Sequence, residues 1–284
     1  MASTQLRGGC DVYSRLSDRD VLNSLSDNIF INIIEPTLIL FFSCASFVET
    51  ADDGKTVPSF PFPTEADDHC ETPVNSYRDI VPLLQKISSR INGTTSSSNS
   101  SLRIYDPYYC NGAMVEHMAQ VGFPNVYNRK EDCYSIWSSS KCPVFDVLVT
   151  NPPYSGDHIA QLMQHVTAKQ FGDRPWLLLL PQWVHKKNYY VLATKHIRPF
   201  YLVPTKRYVY IPPKHFRDAK KSDVHKKSSP FCSMWYVWGG SAEFNETLIQ
   251  HYHRTYKKGS ESARAPCALA RSKSALRDLR RKKS

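Results

Sequence analysis

The fold is decided by Val144 to Ile159, V-F-D-V-L-V-T-N-P-P-Y-S-G-D-H-I. Its first half, Val144 to Thr150, is a short apolar and β-branched run, which predicts one buried strand and is too short for a helix. Asn151-Pro152-Pro153-Tyr154 follows. Because two consecutive prolines fix φ twice and remove two backbone donors, the chain has to leave the sheet as a rigid extended turn. The turn presents an amide, carbonyls and an aromatic ring at a strand's carboxyl end, where open parallel α/β sheets bind ligands.

Strands and helices are predicted to alternate on both sides of this stretch. The remaining predicted strands are Leu102 to Asp106, Asn125 to Asn128, Trp176 to Leu180, one within Arg198 to Ile211, and Cys232 to Trp238. The predicted helices start at Thr72-Pro73, with Thr72 as the cap, at Met114 and at about Asp157. This alternation predicts an α/β fold with a mostly parallel sheet covered by helices on both faces.

Composition divides the chain into three parts. Residues 1–64 form an N-terminal extension that ends in a proline-rich linker, 65–245 carry the alternating elements, and 246–284 are basic and are expected to form a disordered tail. The sequence has no run of eighteen or more apolar residues and no stretch positioned like a signal peptide. Its eight cysteines form no C-x-x-C pair, which favours reduced thiols in an intracellular protein, nuclear or cytoplasmic. We therefore expect no membrane partner and no metal site.

The net charge of +10 is unevenly distributed. Residues 185–284 hold 23 lysines and arginines against six acidic residues, whereas the first 184 residues hold 13 against 20. A basic C-terminal third indicates a polyanionic partner, with nucleic acid the preferred interpretation. The alternative is a disordered basic tail from about Tyr256 onward, which explains part of the excess but not the basic loop Lys214 to Lys227.

Two further motifs stand upstream of the opening stretch. The segment Asp106-Pro107-Tyr108-Tyr109-Cys110-Asn111-Gly112-Ala113 follows a predicted strand, and Glu71-Thr72-Pro73 precedes a predicted helix. A carboxylate at a strand end can bind an ammonium group, and a tight glycine turn lets the backbone approach a ligand closely.

Together these motifs resemble class I S-adenosylmethionine-dependent methyltransferases that act on exocyclic amino groups, chiefly adenine N6. Asn151-Pro152-Pro153-Tyr154 matches the family's D/N/S-P-P-Y/F motif, and the segment from Asp106 looks like its D-P-F-x-G-x-G loop, with Cys110 where the first glycine stands. The resemblance covers about residues 67 to 240 and implies a Rossmann-like methyltransferase fold with S-adenosyl-L-methionine as the methyl donor.

The resemblance also implies the site residues. Catalysis would use Asn151, Pro152, Pro153 and Tyr154. The cofactor would be bound by Thr72, Pro73, Asp106, Pro107, Tyr108, Asn111, Gly112 and Asp132. Asp132 would lie beside the cofactor adenine and Asn128 or Glu131 beside the ribose, although a solvated charge cluster explains these residues nearly as well. His158 is interpreted as a residue at a helix start rather than a catalytic base.

The expected substrate surface consists of Lys186, Lys187, Arg207, Lys220 and Lys221, the last two within the basic loop Lys214 to Lys227. The lack of a separate recognition domain favours RNA slightly over DNA, or a protein partner that supplies specificity. Two alternatives stay open: a methyltransferase acting on a protein glutamine amide, and a nucleic-acid-binding module whose cofactor site is degenerate.

Overall fold

The computed structural model describes Phe60 and residues 68–93, 98–139, 141–210, 232–257 and 265–281. All of them belong to the unit Glu49–Ser284. The proline-rich linker apart from Phe60, and the basic loop that contains Lys220 and Lys221, lie outside the described residues.

The elements follow the order expected from the sequence. The strands are β1 (Ile104–Tyr105), β2 (Val126–Tyr127), β3 (Val147–Thr150), β4 (Trp176–Pro181), β5 (Phe200–Pro204), β6 (Ser233–Trp238) and β7 (Cys267–Ala270). The helices are α1 (Val74–Asn92), α2 (Ser98–Ser101), α3 (Ala113–Gln120), α4 (Cys133–Ser138), α5 (His158–Thr167), α6 (Asn188–Ala193), α7 (Ala242–Lys257) and α8 (Lys273–Arg281). Short 3-10 turns occur at Lys169–Phe171 and Val184–Lys186. Across the described ranges, no helix combines the length and apolar character needed to cross a bilayer.

The strands form one mixed sheet in the order β2-β1-β3-β4-β6-β5-β7. The α/β class expected from the sequence is confirmed. The expectation of a mostly parallel sheet is correct only for the β2-β1-β3-β4 half, because β6 is antiparallel to both its neighbours and β7 is antiparallel to β5. Parallel strands need a crossover, usually a helix, between them. The sequence predicts a basic loop and no helix between β5 and β6, and these two strands are antiparallel.

The strand order creates a crevice at the carboxyl edge of the sheet. From β1 the chain passes to β2 on one side and later returns to β3 on the other side. Ligands of open α/β sheets bind at such a switch point, outside the carboxyl ends of the two strands. Asp106 follows β1 directly and Asn151 follows β3 directly, so both predicted motifs lie at this crevice.

Helices cover both faces of the sheet. On one face, α1, α3 and α7 pack on alternate strand residues such as Ile104, Val149 and Leu177. On the other face, α5, α6 and α8 pack on the intervening residues, such as Leu148 and Leu178. Because β3 and β4 are buried on both faces, the continuous apolar runs that predict them are explained.

The expectation of a disordered tail from residue 246 is wrong for the described residues. Helix α7 continues to Lys257, β7 extends the sheet beyond β5, and α8 packs on the second face through Ala275, Leu276 and Leu279. Leu276 is buried. The charged composition of α8 hides this packing, because its few apolar residues lie on one side of the helix.

Gly240 lies in the turn between β6 and α7, where it packs against the loop that precedes β4, and it provides a stability test. A Cβ atom at Gly240 (φ +92°) would lie 2.0 Å from the Asp173 carbonyl oxygen, whereas one at Gly122, with the same φ, would meet nothing within 4 Å. Both alanine variants suffer backbone strain of about 1 kcal/mol. We expect Gly240→Ala to lower the free energy of unfolding, measured in urea, by at least about 2 kcal/mol more than Gly122→Ala. Equal losses would contradict the close approach.

Candidate functional site

The Asp106 carboxylate is the buried centre of the crevice, with 5% of the residue exposed. Its Oδ1 accepts a hydrogen bond of 2.5 Å from the Thr150 hydroxyl and one of 3.2 Å from the Tyr108 backbone N–H. Burial raises the pKa of Asp106 to about 7, and the nearby Glu71 charge acts in the same direction, while these two hydrogen bonds oppose the rise. The Thr150–Asp106 bond joins the end of β3 to the end of β1. It therefore couples the two predicted motifs directly.

The Asn151–Tyr154 turn is closed on itself. The Tyr154 hydroxyl donates to Asn151 Oδ1 over 2.7 Å and also lies 3.2 Å from the Leu179 carbonyl oxygen. Pro152 is buried, and Asn151, Pro153 and Tyr154 are half-buried. The tyrosine ring is therefore turned towards β4 instead of standing open for stacking, and the amide oxygen already has a donor.

Asp68 holds this turn from outside. Its carboxylate accepts hydrogen bonds from the backbone N–H groups of Tyr154 and Ser155, both at 3.2 Å, and a very short one from the Ser155 hydroxyl. Because Pro152 and Pro153 have no N–H groups, these are the first two backbone donors after Asn151. One carboxylate satisfies both of them and fixes the direction in which the turn leaves the sheet.

Glu71 brings a second carboxylate to the crevice. Burial raises its pKa, while the backbone N–H groups of Ala113 and Asn111 and the Cys110 thiol lower it. Its Oε1 is buried and has no hydrogen-bond partner among the described residues. An unpartnered buried carboxylate oxygen is costly, so this corner of the crevice is suited to a cationic or hydrogen-bond-donating ligand.

The loop from Asp106 to Gly112 has the shape expected of a ligand-binding turn. Gly112 is in the left-handed region (φ +88°) and immediately precedes α3, and the Tyr109 ring lies 3.4 Å from where its Cβ would be. Pro107 is buried, Tyr108 is half-buried and Asn111 is exposed. The positive φ explains why a glycine is required at position 112, although Cys110 replaces the first glycine of the resembling motif.

Thr72 has a structural role that the sequence did not indicate. It is buried, but the N-cap of α1 is Pro73, so the prediction of Thr72 as the cap was wrong by one residue. The Thr72 carbonyl oxygen instead lies 3.0 Å from His117 Nδ1 on α3. The chain before α1 is thereby joined to the helix that follows the Asp106 loop.

Asp132 is the N-cap of α4. Its carboxylate accepts from the Tyr134 backbone N–H (3.0 Å) and from the Ser135 hydroxyl (2.5 Å). Asn128 donates to the carbonyl oxygens of Asp106 and Tyr108, and Glu131 accepts from the Tyr127 hydroxyl. These polar groups therefore support the loops beside the crevice. Their hydrogen bonds within the protein account for them better than a solvated charge cluster does.

Aromatic side chains form the wall of the crevice next to α4. The Tyr134 hydroxyl lies 3.2 Å from that of Tyr108 and makes a very short hydrogen bond with His158 Nδ1. The Tyr134 and His158 rings are stacked. His158 is the first residue of α5, as the sequence predicts, and its side chain fixes α4 against α5.

The predicted basic residues lie along the same edge of the sheet. Lys186 and Lys187 follow β4, Arg207 follows β5, and all three are exposed. The Lys187 ammonium lies 5.1 Å from the centre of the Trp183 ring. Because β3, β4 and β5 run in the same direction, these cations and Asn151 share the carboxyl edge.

No protein-family model, curated protein or solved structure matches this chain significantly. The interpretation of the site therefore rests on the residues and their geometry.

Three important residues were missed in the sequence. Thr150 looks like an ordinary β-branched strand residue, Asp68 belongs to no motif, and Glu71 stands in the Glu71-Thr72-Pro73 motif without a predicted role. Thr150 and Glu71 are each next in sequence to a predicted site residue, which is the only signal the sequence offers. The contacts themselves join residues that are remote in the chain, 44 residues apart for Thr150 and Asp106 and 86 for Asp68 and Tyr154.

The raised pKa of Asp106 predicts a pH-dependent stability. Between its ordinary pKa near 4 and its folded pKa of about 7, the folded protein binds the proton more tightly than the unfolded chain. Stability from this group is therefore lost as pH rises through this range, by roughly 1 kcal/mol per pH unit. Asp106→Asn keeps an acceptor for Thr150 but cannot titrate.

We expect urea unfolding from pH 4 to 8 to show a smaller decline in the variant than in the wild type. Parallel curves for the two proteins would contradict the assignment.

Proposed function

We propose that the chain is an S-adenosylmethionine-dependent methyltransferase of the Rossmann-like class I fold, which methylates an exocyclic amino nitrogen, that of adenine N6 in RNA or DNA. The observation that carries the proposal is the 2.5 Å hydrogen bond between Thr150 and Asp106 at the switch point of the sheet. It brings the loop suited to a cationic ligand next to the turn suited to an amino group, as transfer between two bound molecules requires.

The crevice residues fit the methyl donor. Its ammonium and sulfonium are cations, and the Asp106 carboxylate and the unpartnered Glu71 Oε1 offer negative charge. The Gly112 turn lets the backbone approach the ligand. S-adenosylmethionine supplies an electrophilic methyl group when bound. A cation beside Asp106 would favour its ionised form, which its pKa of about 7 keeps accessible at neutral pH.

The Asn151 turn suits an amino group whose lone pair is delocalised into a ring. Asn151 Oδ1 and the Pro152 carbonyl oxygen can accept the two amino hydrogens. Acceptance of both hydrogens favours a more tetrahedral nitrogen, so that its lone pair becomes available for in-line displacement. The rate is then gained from positioning and electrostatics, with no covalent intermediate.

Substrate entry requires an exchange of hydrogen bonds in the turn. The Tyr154 hydroxyl donates to the oxygen that the substrate amino group needs, 2.7 Å away. We infer that the tyrosine swings away from Asn151 when the base enters and that its ring then stacks on the base. In a duplex the base must first be flipped out, whereas a single-stranded or bulged target costs less.

The exposed cations Lys186, Lys187 and Arg207 support a nucleic-acid substrate, because they lie on the edge of the sheet that carries Asn151. The same motif would also serve a glutamine amide of a protein. RNA is preferred slightly over DNA, with a protein partner as another source of specificity. Labelled methyl donor offered to RNA, DNA and protein pools, followed by digestion to nucleosides and amino acids, identifies the product.

Replacement of Asn151 tests the mechanism. We expect Asn151→Ala to bind S-adenosylmethionine as the wild type does, by calorimetry, and to transfer methyl groups about 100- to 1,000-fold more slowly, the range measured for loss of one preorganised hydrogen-bonding group. Asn125→Ala is the matched control, since this exposed asparagine precedes β2 at the opposite edge of the sheet. A wild-type protein that binds no S-adenosylmethionine would refute the enzyme proposal, and an active Asn151→Ala protein would refute the mechanism.

Two replacements of Tyr154 separate its ring from its hydroxyl. Tyr154→Phe removes the donor that competes for Asn151 Oδ1 and keeps the ring, so we expect a rate within about threefold of the wild type. Tyr154→Ala removes stacking worth about 1–3 kcal/mol and is expected to reduce kcat/KM by about 5- to 150-fold. If the phenylalanine variant is as slow as the alanine variant, the ring does not act by stacking.

A further inference from the structure

A cavity of about 330 Å³ opens at the carboxyl edge of the sheet, beyond β4 and β5. Its lining residues are Gln182, Val203, Pro204, Arg207, Cys232, Ser233, Met234, Ala268, Leu276 and Leu279. The volume is near the lower limit of ligand pockets, roughly 300 Å³, so one planar group fits and a duplex does not.

The lining of this cavity combines apolar and polar side chains. Val203, Met234 and Leu276 are apolar, whereas Gln182 and Arg207 bring an amide and a guanidinium. Glutamine and arginine are among the side chains that form paired hydrogen bonds with purine edges. Such a mixed lining suits the flat faces and polar edge of a nucleobase.

The cavity adjoins the turn that carries Asn151. Ser233, at the cavity, makes a very short hydrogen bond with the Tyr210 hydroxyl. The Tyr154 side chain hydrogen-bonds both Tyr210 and Ser233. Because Tyr154 also donates to Asn151 Oδ1, one side chain connects the cavity-lining Ser233 to the residue of the proposed methyl transfer.

The C-terminal β7–α8 unit builds one side of the cavity. Ala268 from β7 and Leu279 from α8 line it, together with the buried Leu276. The opposite side of α8 carries Arg277 and Arg281, both exposed and one helical turn apart. The exposed Asp278 is the acidic side chain on this helix. A single short helix thus has an apolar side on the cavity and a mainly cationic side in solvent.

We propose that β7–α8 is the element that recognises the nucleic-acid substrate. The nucleobase next to the methylated one binds in the 330 Å³ cavity, and Arg277 and Arg281 bind the adjoining phosphates. This inference rests on the proposed function and names its specificity element. It assigns recognition of the substrate's base sequence to a part of the chain whose composition predicts a disordered tail.

Binding of labelled single-stranded oligonucleotides to the full-length protein, measured by fluorescence anisotropy at several salt concentrations, tests the phosphate contacts. For Arg277→Gln/Arg281→Gln we expect the log–log salt slope to fall by about 1.4 and the affinity at 0.1 M salt to fall roughly 25-fold. Arg198→Gln is the control, because this exposed arginine precedes β5 at the opposite edge of the sheet, and it should bind as the wild type does.

Filling the cavity tests base recognition. Ala268→Phe, or Leu279→Trp if the first variant does not fold, should bind S-adenosylmethionine normally but lose the wild-type preference for the base beside the target in a randomised pool. Gln182→Ala should change this preference without filling the cavity. Unchanged preference in the folded variants would overturn the assignment of the cavity.

The outcomes distinguish this inference from the proposed function. A wild-type protein that binds and methylates the pool, with no effect of the arginine pair on affinity or slope, overturns the inference alone. A wild-type protein that binds no oligonucleotide also overturns it, whatever calorimetry finds for S-adenosylmethionine. Failure to bind S-adenosylmethionine overturns the proposed function, while anisotropy still decides whether α8 binds nucleic acid.

Discussion

The hydrogen bond between Thr150 and Asp106 is the constraint on which the rest of the crevice depends. A buried carboxylate is costly, and in this fold it is tolerated because a hydroxyl from β3 and an N–H from its own loop meet it. The same bond fixes the register of two loops that leave adjacent strands. Even with these partners the pKa is raised to about 7, so at neutral pH the group is poised between its two forms. A cation bound beside Asp106 would favour the ionised carboxylate, so that ligand binding would be coupled to loss of the Asp106 proton.

A short segment before α1 holds both halves of the crevice together. Asp68 accepts from the backbone after Asn151, Glu71 lies against the start of α3, and the Thr72 carbonyl meets His117. Within five residues, Asp68 therefore contacts the loop after β3, Glu71 contacts the loop after β1, and the Thr72 carbonyl contacts α3, the helix that this second loop enters. Its acidic composition serves this purpose, because each carboxylate receives backbone N–H groups.

Local patterns predicted the strands and the two motifs, because continuous apolar runs and proline turns are properties of neighbouring residues. They did not predict the pairing partners. The sequence M-W-Y-V-W is compatible with a parallel or an antiparallel strand. The position of β6 between β4 and β5 depends on its pairing with β4, whose partner residues are more than fifty positions away in the sequence. The α8 segment K-S-A-L-R-D-L-R-R looks like a solvated charge run, and only the sheet that receives Leu276 makes it a packed helix. The contacts of Thr150, Asp68 and Glu71 were hidden for the same reason, since each partner is remote in sequence.

The bond between Tyr154 and Asn151 follows from the geometry of the turn before any substrate arrives. A half-buried amide oxygen with no donor would cost about 1–3 kcal/mol, so the nearest hydroxyl satisfies it. In the proposed reaction, an incoming amino group would replace one hydrogen bond with another, and the exchange would be close to neutral in free energy. The binding energy would then have to come from elsewhere: from the proposed stacking, phosphate contacts and neighbouring base. Because the amide oxygen of the turn is already hydrogen-bonded, the turn would give the amino group little affinity of its own, and specificity would reside in the surfaces around it.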